Sequence, residues 1–462
     1  MTKRLIEVAA ALALLVPAAA SISSAPAGSP AAQGQAPYLG FAEAVRLRAL
    51  ALGRGFAPLP PPPEVPPAVV DLGRALAFDP ILSGNRDISC MTCHHPALGT
   101  GDGLRLSIGT GGEGVGPGRR KAEGLTIGRN SPPLYNLHAA QPLFLDGRLS
   151  VSPDGYHAPE GVTLPDEMVA TFDFGALSAL PLFPVLARDE MRGYGGNELA
   201  ALPAGDPQAI WAGIMRRLSR IPEYVRLFEH AYPGERFDEM TFAHAANAIA
   251  GFIASELALS DTRWDRFLSG DLQALSRLQR DGAELFLELA CSECHSGAFL
   301  TDGEFHNVAL AQIGPGLGDG PAGNDDYGRF RVTGDPADMY AFRTPALRNV
   351  ELTAPYGHAG QFLELDDFIA HYGDSAAGLR SYGDDLPDGV SVLENHDAIL
   401  RTRDDLLDGV ELSEHEVALL TEFMRALTDP ATSDHAHLVP ASVPSGLPVA
   451  RFDVAGTFAG GP

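Results

Sequence analysis

Cys90-Met91-Thr92-Cys93-His94 and Cys291-Ser292-Glu293-Cys294-His295 repeat one pattern, C-x-x-C-H, twice in the chain. The two thiols of each pattern stand about one helical turn apart, where they can add to both vinyl groups of one porphyrin. The adjoining imidazole is then held beneath the iron, and the pattern reads as a covalent haem c attachment site. Two other chemistries use cysteine pairs. Dithiol redox motifs share C-x-x-C without needing the histidine, and they sit in a βαβ context that this sequence lacks. A four-cysteine zinc site places its pairs roughly 15–20 residues apart, against about 200 here. The two motifs use all four cysteines, which leaves none for a disulfide or a reactive thiol.

A chain of 462 residues exceeds one ordinary core and suits two domains with tails. Hydrophobic content of 45% fits a soluble globular protein, and a net charge of −26 argues against nucleic acid or an anionic membrane as partner. A basic protein partner is compatible with that charge, and so is a plain solvated acidic surface. Lys3 and Arg4 precede an apolar run from Leu5 to Ala20 and then small residues, the layout of a secretory signal peptide. Haem c is attached outside the cytoplasm, so signal and motifs both place the protein in the periplasm, with no membrane span after cleavage.

The segments that must position the motifs follow from patterning. Residues 1–26 read as the signal peptide and 27–67 as a flexible Pro-rich lead-in, with helical spacing at Gly40–Leu52 and an extended stretch at Pro60-Pro61-Pro62-Pro63. Residues 68–258 form the N-terminal haem domain and 259–430 the C-terminal one, with 431–462 an extended tail over the surface. Helices are predicted at 68–78, 206–231, 242–259, 271–289, 363–371 and 412–427. Gly-rich loops fill 99–128 and 311–328, and no strand pattern exceeds a few residues. The expected fold is mainly α, two cytochrome-c-like haem domains with long loops.

The segments beside the motifs resemble the bacterial di-haem cytochrome c peroxidase and MauG superfamily. In the first half these are Leu82-Ser83-Gly84-Asn85, Arg129-Asn130-Ser131-Pro132, Asp146-Gly147-Arg148, Phe183-Pro184-Val185 and Asp189-Glu190-Met191. In the second half they are Thr301-Asp302-Gly303-Glu304-Phe305-His306-Asn307 and the run from Phe342 through Val350 to Pro355-Tyr356-Gly357-His358. The resemblance covers about residues 68–428 in the family's order. It implies two haem domains packed across an electron-carrying interface, with His94 and His295 as proximal ligands.

What lies opposite each histidine separates an electron carrier from a peroxide site, because a second strong ligand closes the iron. Many family peroxidases carry a histidine after Ser-Ile-Gly; here Ser107-Ile108-Gly109 is followed by Thr110, which implies an open first iron, with His138 or His157 as substitutes. For the second haem the family's sixth ligand, Met in most peroxidases and Tyr in MauG-like members, falls fourteen residues after His358, on Tyr372. Met339 and His371 are rivals. A phenolate favours higher oxidation states of iron where methionine raises the potential, so the resemblance points to the MauG-like branch.

The family's acid–base glutamate precedes a methionine, which selects Glu190, with Glu167 in Asp166-Glu167-Met168 as rival. Family members hold calcium between the haems through positions matching Asn130, Thr353 and Pro355, and oxygen ligands suit that ion. Asn130 as a simple turn cap is the alternative. Arg343 and Arg348 either fork onto haem propionates or lie on the surface. The tryptophan that family members carry before Asp-Gly-Arg is Leu145 here, leaving Phe144 or Tyr135 as aromatic neighbours. MauG's tryptophan before its second motif is Leu289. The only tryptophans, Trp211 and Trp264, lie elsewhere, and His95 is expected to face solvent.

These features lead to an expected periplasmic peroxidase that reduces hydrogen peroxide at the N-terminal haem, with electrons relayed through the C-terminal haem. A small cytochrome or cupredoxin would donate them. A MauG-like modifier of a protein substrate, or a non-catalytic electron carrier, are the alternatives.

Overall fold

The structure, a computed structural model, describes residues 36–383, 386, 391–434 and 436–452. The expected signal peptide lies outside them. The chain divides into two units at Glu43 and Ala44; of the first, residues 36–43 form the opening turns of the helix Ala36–Gly53.

From Ala44 onward the fold is mainly α, built around two hydrophobic cores. The first core pairs helix Pro67–Phe78 with helix Phe242–Glu256. The second pairs Arg277–Glu288 with Glu414–Ala426. Each pair crosses at a helical glycine. A Cβ on Gly73 would stand 1.9 Å from the Ala248 carbonyl, and one on Gly282 would stand 2.0 Å from that of Leu419. Glycine inside a helix costs about 0.5–1 kcal/mol relative to alanine, and close approach of two backbones is what offsets it. Caps set the starts: Thr241 accepts from Ala243 N, and Ser276 and Ser413 form capping boxes with Gln279 and Glu416.

The predicted helices are present with shifted ends. The stretch 206–231 is two helices, Pro207–Leu218 and Pro222–Ala231, because Pro222 can begin a helix but not continue one. The stretch 271–289 is helical only at Arg277–Glu288. Strands among the described residues are limited to two antiparallel pairs, Ser150–Ser152 with Gly155–His157 and Phe305–His306 with Phe342–Arg343.

Two expectations need correction. The lead-in is not flexible from Ala44 on: Ala44, Leu47, Ala51 and Phe56 are buried in the second core. The Phe56 ring meets Trp264 edge-on at 6.2 Å, and Leu59 N donates to Asp265 Oδ1 at 2.9 Å. The tail is also more than a surface wrap. Leu438 and Val443 enter the first core, and Ser445 Oγ donates to Asp79 Oδ1 at 2.6 Å. The loop 99–128 is held internally, Arg119 donating to the carbonyls of Ile108, Gly109 and Gly114.

Candidate haem-binding cavity

Each motif folds as a single turn, Cys90–Cys93 and Cys291–Cys294, with its histidine as the C-cap. His94 Nδ1 lies 3.2 Å from the Thr100 carbonyl, and His295 Nδ1 lies 3.1 Å from that of Leu300. A carbonyl can only accept, so Nδ1 carries the proton and Nε2 keeps its lone pair. Burial pushes the His94 imidazole down to about 4 and lowers His295 as well, so both rings are neutral at neutral pH. Thr100 (φ 63°) and Leu300 (φ 53°) both sit in the left-handed region that costs non-glycine residues roughly 1–2 kcal/mol. Both turns thus spend backbone energy to aim one carbonyl at one imidazole.

All four cysteines and both histidines line one cavity. Burial pushes the Cys90 and Cys291 thiols up to about 11 and Cys93 up to about 12. Reactive dithiols have depressed values instead. The donor set fits two haems: paired unbonded thiols, an oriented imidazole and a mostly apolar wall.

Glu190 lies in a π-helical turn, Arg188–Arg192, and lines the cavity beside Met191 and Pro184. Its backbone carbonyl accepts from Thr110 N at 2.8 Å. Thr110 itself turns away, its hydroxyl donating to Asp87 Oδ1 at 2.6 Å, and is no part of the cavity wall. The rival Glu167 opens the short helix Asp166–Val169 and is exposed, away from the cavity. His157 is exposed on its strand, and His138 packs edge-on against Phe299 at 6.2 Å.

On the second side, Tyr372 follows helix Leu365–His371 and lines the cavity with Cys291, Cys294 and His295. Its hydroxyl has no hydrogen-bond partner among the described residues. Burial pushes the phenol well above its ordinary value, and charge on Cys291 and Cys294 would act in the same direction. Ionising it therefore calls for a nearby cation such as a metal. The rivals are placed elsewhere: His371 Nε2 pairs with the Val308 carbonyl at 2.9 Å, and neither His371 nor Met339 reaches the wall.

Asn130, Thr353 and Pro355 line the same cavity. Asn130 Nδ2 donates to the carbonyls of Leu104 and Arg105 at 2.9 and 3.1 Å, and its backbone N donates to His358 O at 2.8 Å. Its Oδ1 and the carbonyls of Thr353 and Pro355 accept nothing among the described residues.

The two candidate propionate arginines differ. Arg348 binds Asp265 at 2.8 Å and the Ala298 carbonyl and is buried rather than on the surface, tying the second core to the cavity wall that it also borders. Among the described residues Arg343 has only carbonyl partners, Phe144 and Thr344, and burial lowers it to about 10. A buried guanidinium without a carboxylate suits an anionic group in the cavity. Leu145 lies on the wall, and its carbonyl accepts from Arg343 N at 2.7 Å, directly joining the two halves. Leu289 caps its helix away from the wall, and Trp211 and Trp264 are core residues. Sequence reasoning missed Arg129, whose buried guanidinium grips Asp326 and Asp146 at 2.7 and 2.8 Å. A buried Arg between two acids distant in sequence leaves no local pattern.

Covalent haem sites in pairs, within a mainly helical chain, define a di-haem c-type oxidoreductase. The profile of the family described as di-haem cytochrome c peroxidase matches residues 67–273. Cytochrome c551 peroxidase of Pseudomonas aeruginosa is 32% identical over 70% of this chain and 77% of its own length. Methylamine utilization protein MauG of Methylorubrum extorquens is 30% identical over 68% and 71%. A crystal structure of a MauG-like protein associated with microbial copper homeostasis superposes with a TM-score of 0.59 at 26% identity, covering 82% of this chain and 96% of that one. The chain belongs to the di-haem cytochrome c peroxidase family, whose cofactors are two haem c groups.

Proposed function

We propose that the protein reduces hydrogen peroxide in the His94 half of the cavity, using electrons that enter through the His295 half. Bound at the motifs, haem supplies an iron that exchanges electrons with peroxide and, at the second site, stores an oxidising equivalent. The chain's own part begins with His94, whose Nδ1–H bond to Thr100 leaves Nε2 free to hold the iron. Glu190 lines the pocket where peroxide would sit; its carboxylate takes the proton from the near oxygen and returns it to the departing one. Tyr372 would help hold the second haem's iron, and Arg343 would hold a propionate. Asn130 Oδ1 with the Thr353 and Pro355 carbonyls would hold calcium, an ion suited to oxygen ligands.

The observation that carries this reading is the placement of Glu190 on the cavity wall while Thr110 faces Asp87. Such a site needs no prior reduction to admit peroxide. The test is one to two equivalents of peroxide added to the fully oxidised holoprotein, with the Soret and visible bands followed in time. A rapid change without reductant is expected; no change until one electron is supplied overturns the open-site reading. Glu190→Gln should slow peroxide consumption by about 10²–10⁴-fold with resting spectra unchanged.

The electron source is a small cytochrome or cupredoxin, and the compartment is the periplasm, as the N-terminal signal pattern suggests. A second reading, oxidation of side chains in a partner protein, is favoured by Tyr372, whose unpartnered hydroxyl lies in the cavity. Peroxide turnover driven by ascorbate alone and then with added cytochromes separates the two: a donor-specific gain supports the peroxidase.

A further inference from the structure

His95, next to the first ligand, was expected to face solvent and is instead 2% exposed. Its ring is held on several sides. Nδ1 accepts from Ala97 N at 3.1 Å, and Nε2 donates to the Ala450 carbonyl at 3.3 Å. The Phe452 ring meets it edge-on at 4.7 Å. Phe452 also reaches the loop beyond: a Cβ on Gly116 would stand 2.6 Å from it and 2.9 Å from Leu98.

The backbone of His95 is the hub of the turn that orients His94. His95 N donates to Gly101 O at 2.9 Å, while His95 O accepts from Leu98 N at 2.9 Å and from Thr100 N at 3.1 Å. Thr100 is the residue whose carbonyl receives His94 Nδ1. Fixing the His95 ring therefore fixes the frame that presents that carbonyl. In the second motif Ser296 stands where the first has His95, and its carbonyl accepts from Thr301 N at 2.9 Å, one residue past Leu300, whose carbonyl receives His295. Ser296 makes no side-chain hydrogen bond among the described residues.

We propose that residues 436–452 are a positioning strap: by clamping His95, Phe452 and the Ala450 carbonyl hold the Thr100 acceptor against His94 and tune the first haem alone. The strap is anchored upstream by Leu438 and Val443 in the first core and by Ser445 on Asp79. It acts through His94, so it rests on His94 being the iron's ligand. A firm Nδ1–H bond makes the ligand nitrogen more basic and favours ferric iron. Loosening it raises the potential of that haem.

The test uses the complete holoprotein carrying Phe452→Ala or, separately, His95→Ser, which copies the second motif. Resonance Raman of the reduced protein and a potentiometric titration read each haem without peroxide. The first haem's iron–histidine stretch should fall and broaden and its midpoint move upward, with the second haem unmoved. Phe452→Tyr, which keeps the ring, should restore both. Should Phe452→Ala fail to accumulate, His95→Ser and Phe452→Leu give the same readout. No shift at the first haem, or equal shifts at both, overturns the strap. A strap confirmed in a protein inert to peroxide would instead remove only the peroxidase reading.

Discussion

At the first motif the carbonyl that receives the histidine Nδ1 belongs to Thr100, and at the second to Leu300, each with positive φ. Beneath both motifs, one helical glycine brings a second helix into backbone contact. The proximal sides are thus two copies of one solution, although the turns share little sequence. The opposite sides diverge: Glu190 borders one, Tyr372 the other. The lesson is that the shared backbone geometry holds a haem, and the few side chains across the cavity decide what the haem is for.

Arg129→Ala tests the joint between the halves most severely. It leaves Asp146 and Asp326, each with a 1% exposed side chain, without their shared cation, and should cost about 3–5 kcal/mol in chemical denaturation. Burial alone would raise the Asp326 carboxyl, but Arg129 overrides it and holds the group at about 2 against 3.8 unpaired. A depressed folded value stabilises above pH 4 and is lost as pH falls toward 2. The variant should therefore lose part of the wild type's acid sensitivity in that window.

Gly73→Ala and Gly282→Ala sharpen the likeness. Each forces a methyl onto an opposing carbonyl and should destabilise by about 1–3 kcal/mol, visible as a lowered midpoint of unfolding. A large effect at one and none at the other would break the comparison. Tyr372→Phe probes the divergence with the smallest energetic cost. It should convert the second haem to a high-spin ferric EPR signal while the first keeps its own; an unchanged spectrum would exclude Tyr372 as ligand.

Much of this was legible because it is local. The C-x-x-C-H spacing places thiols and imidazole within one turn, and the helices announce themselves by 3.6-residue periodicity and caps. Glu190, Tyr372, Asn130, Thr353 and Pro355 were reached through motif order, and all line one cavity. What stayed hidden depends on contacts far apart in sequence. Periodicity at 40–52 gave a helix but could not say which core would take Leu47 and Ala51. Nor did the composition of the tail reveal that Phe452 would seat on His95. Arg348 carries the right chemistry for a propionate, and only the fold shows that Asp265 pairs with it.

Ala44–Phe56 precede the first motif yet complete the second core, while Leu438 and Val443 follow the second motif and complete the first. Each core therefore closes around material on the far side of the other, and no single cut separates them. A ribosome delivering this chain in order makes the opening piece of the second core first and the closing piece of the first core last. Neither half can finish alone: cut between Ala258 and Leu259, the gene would yield two fragments, each lacking a wall.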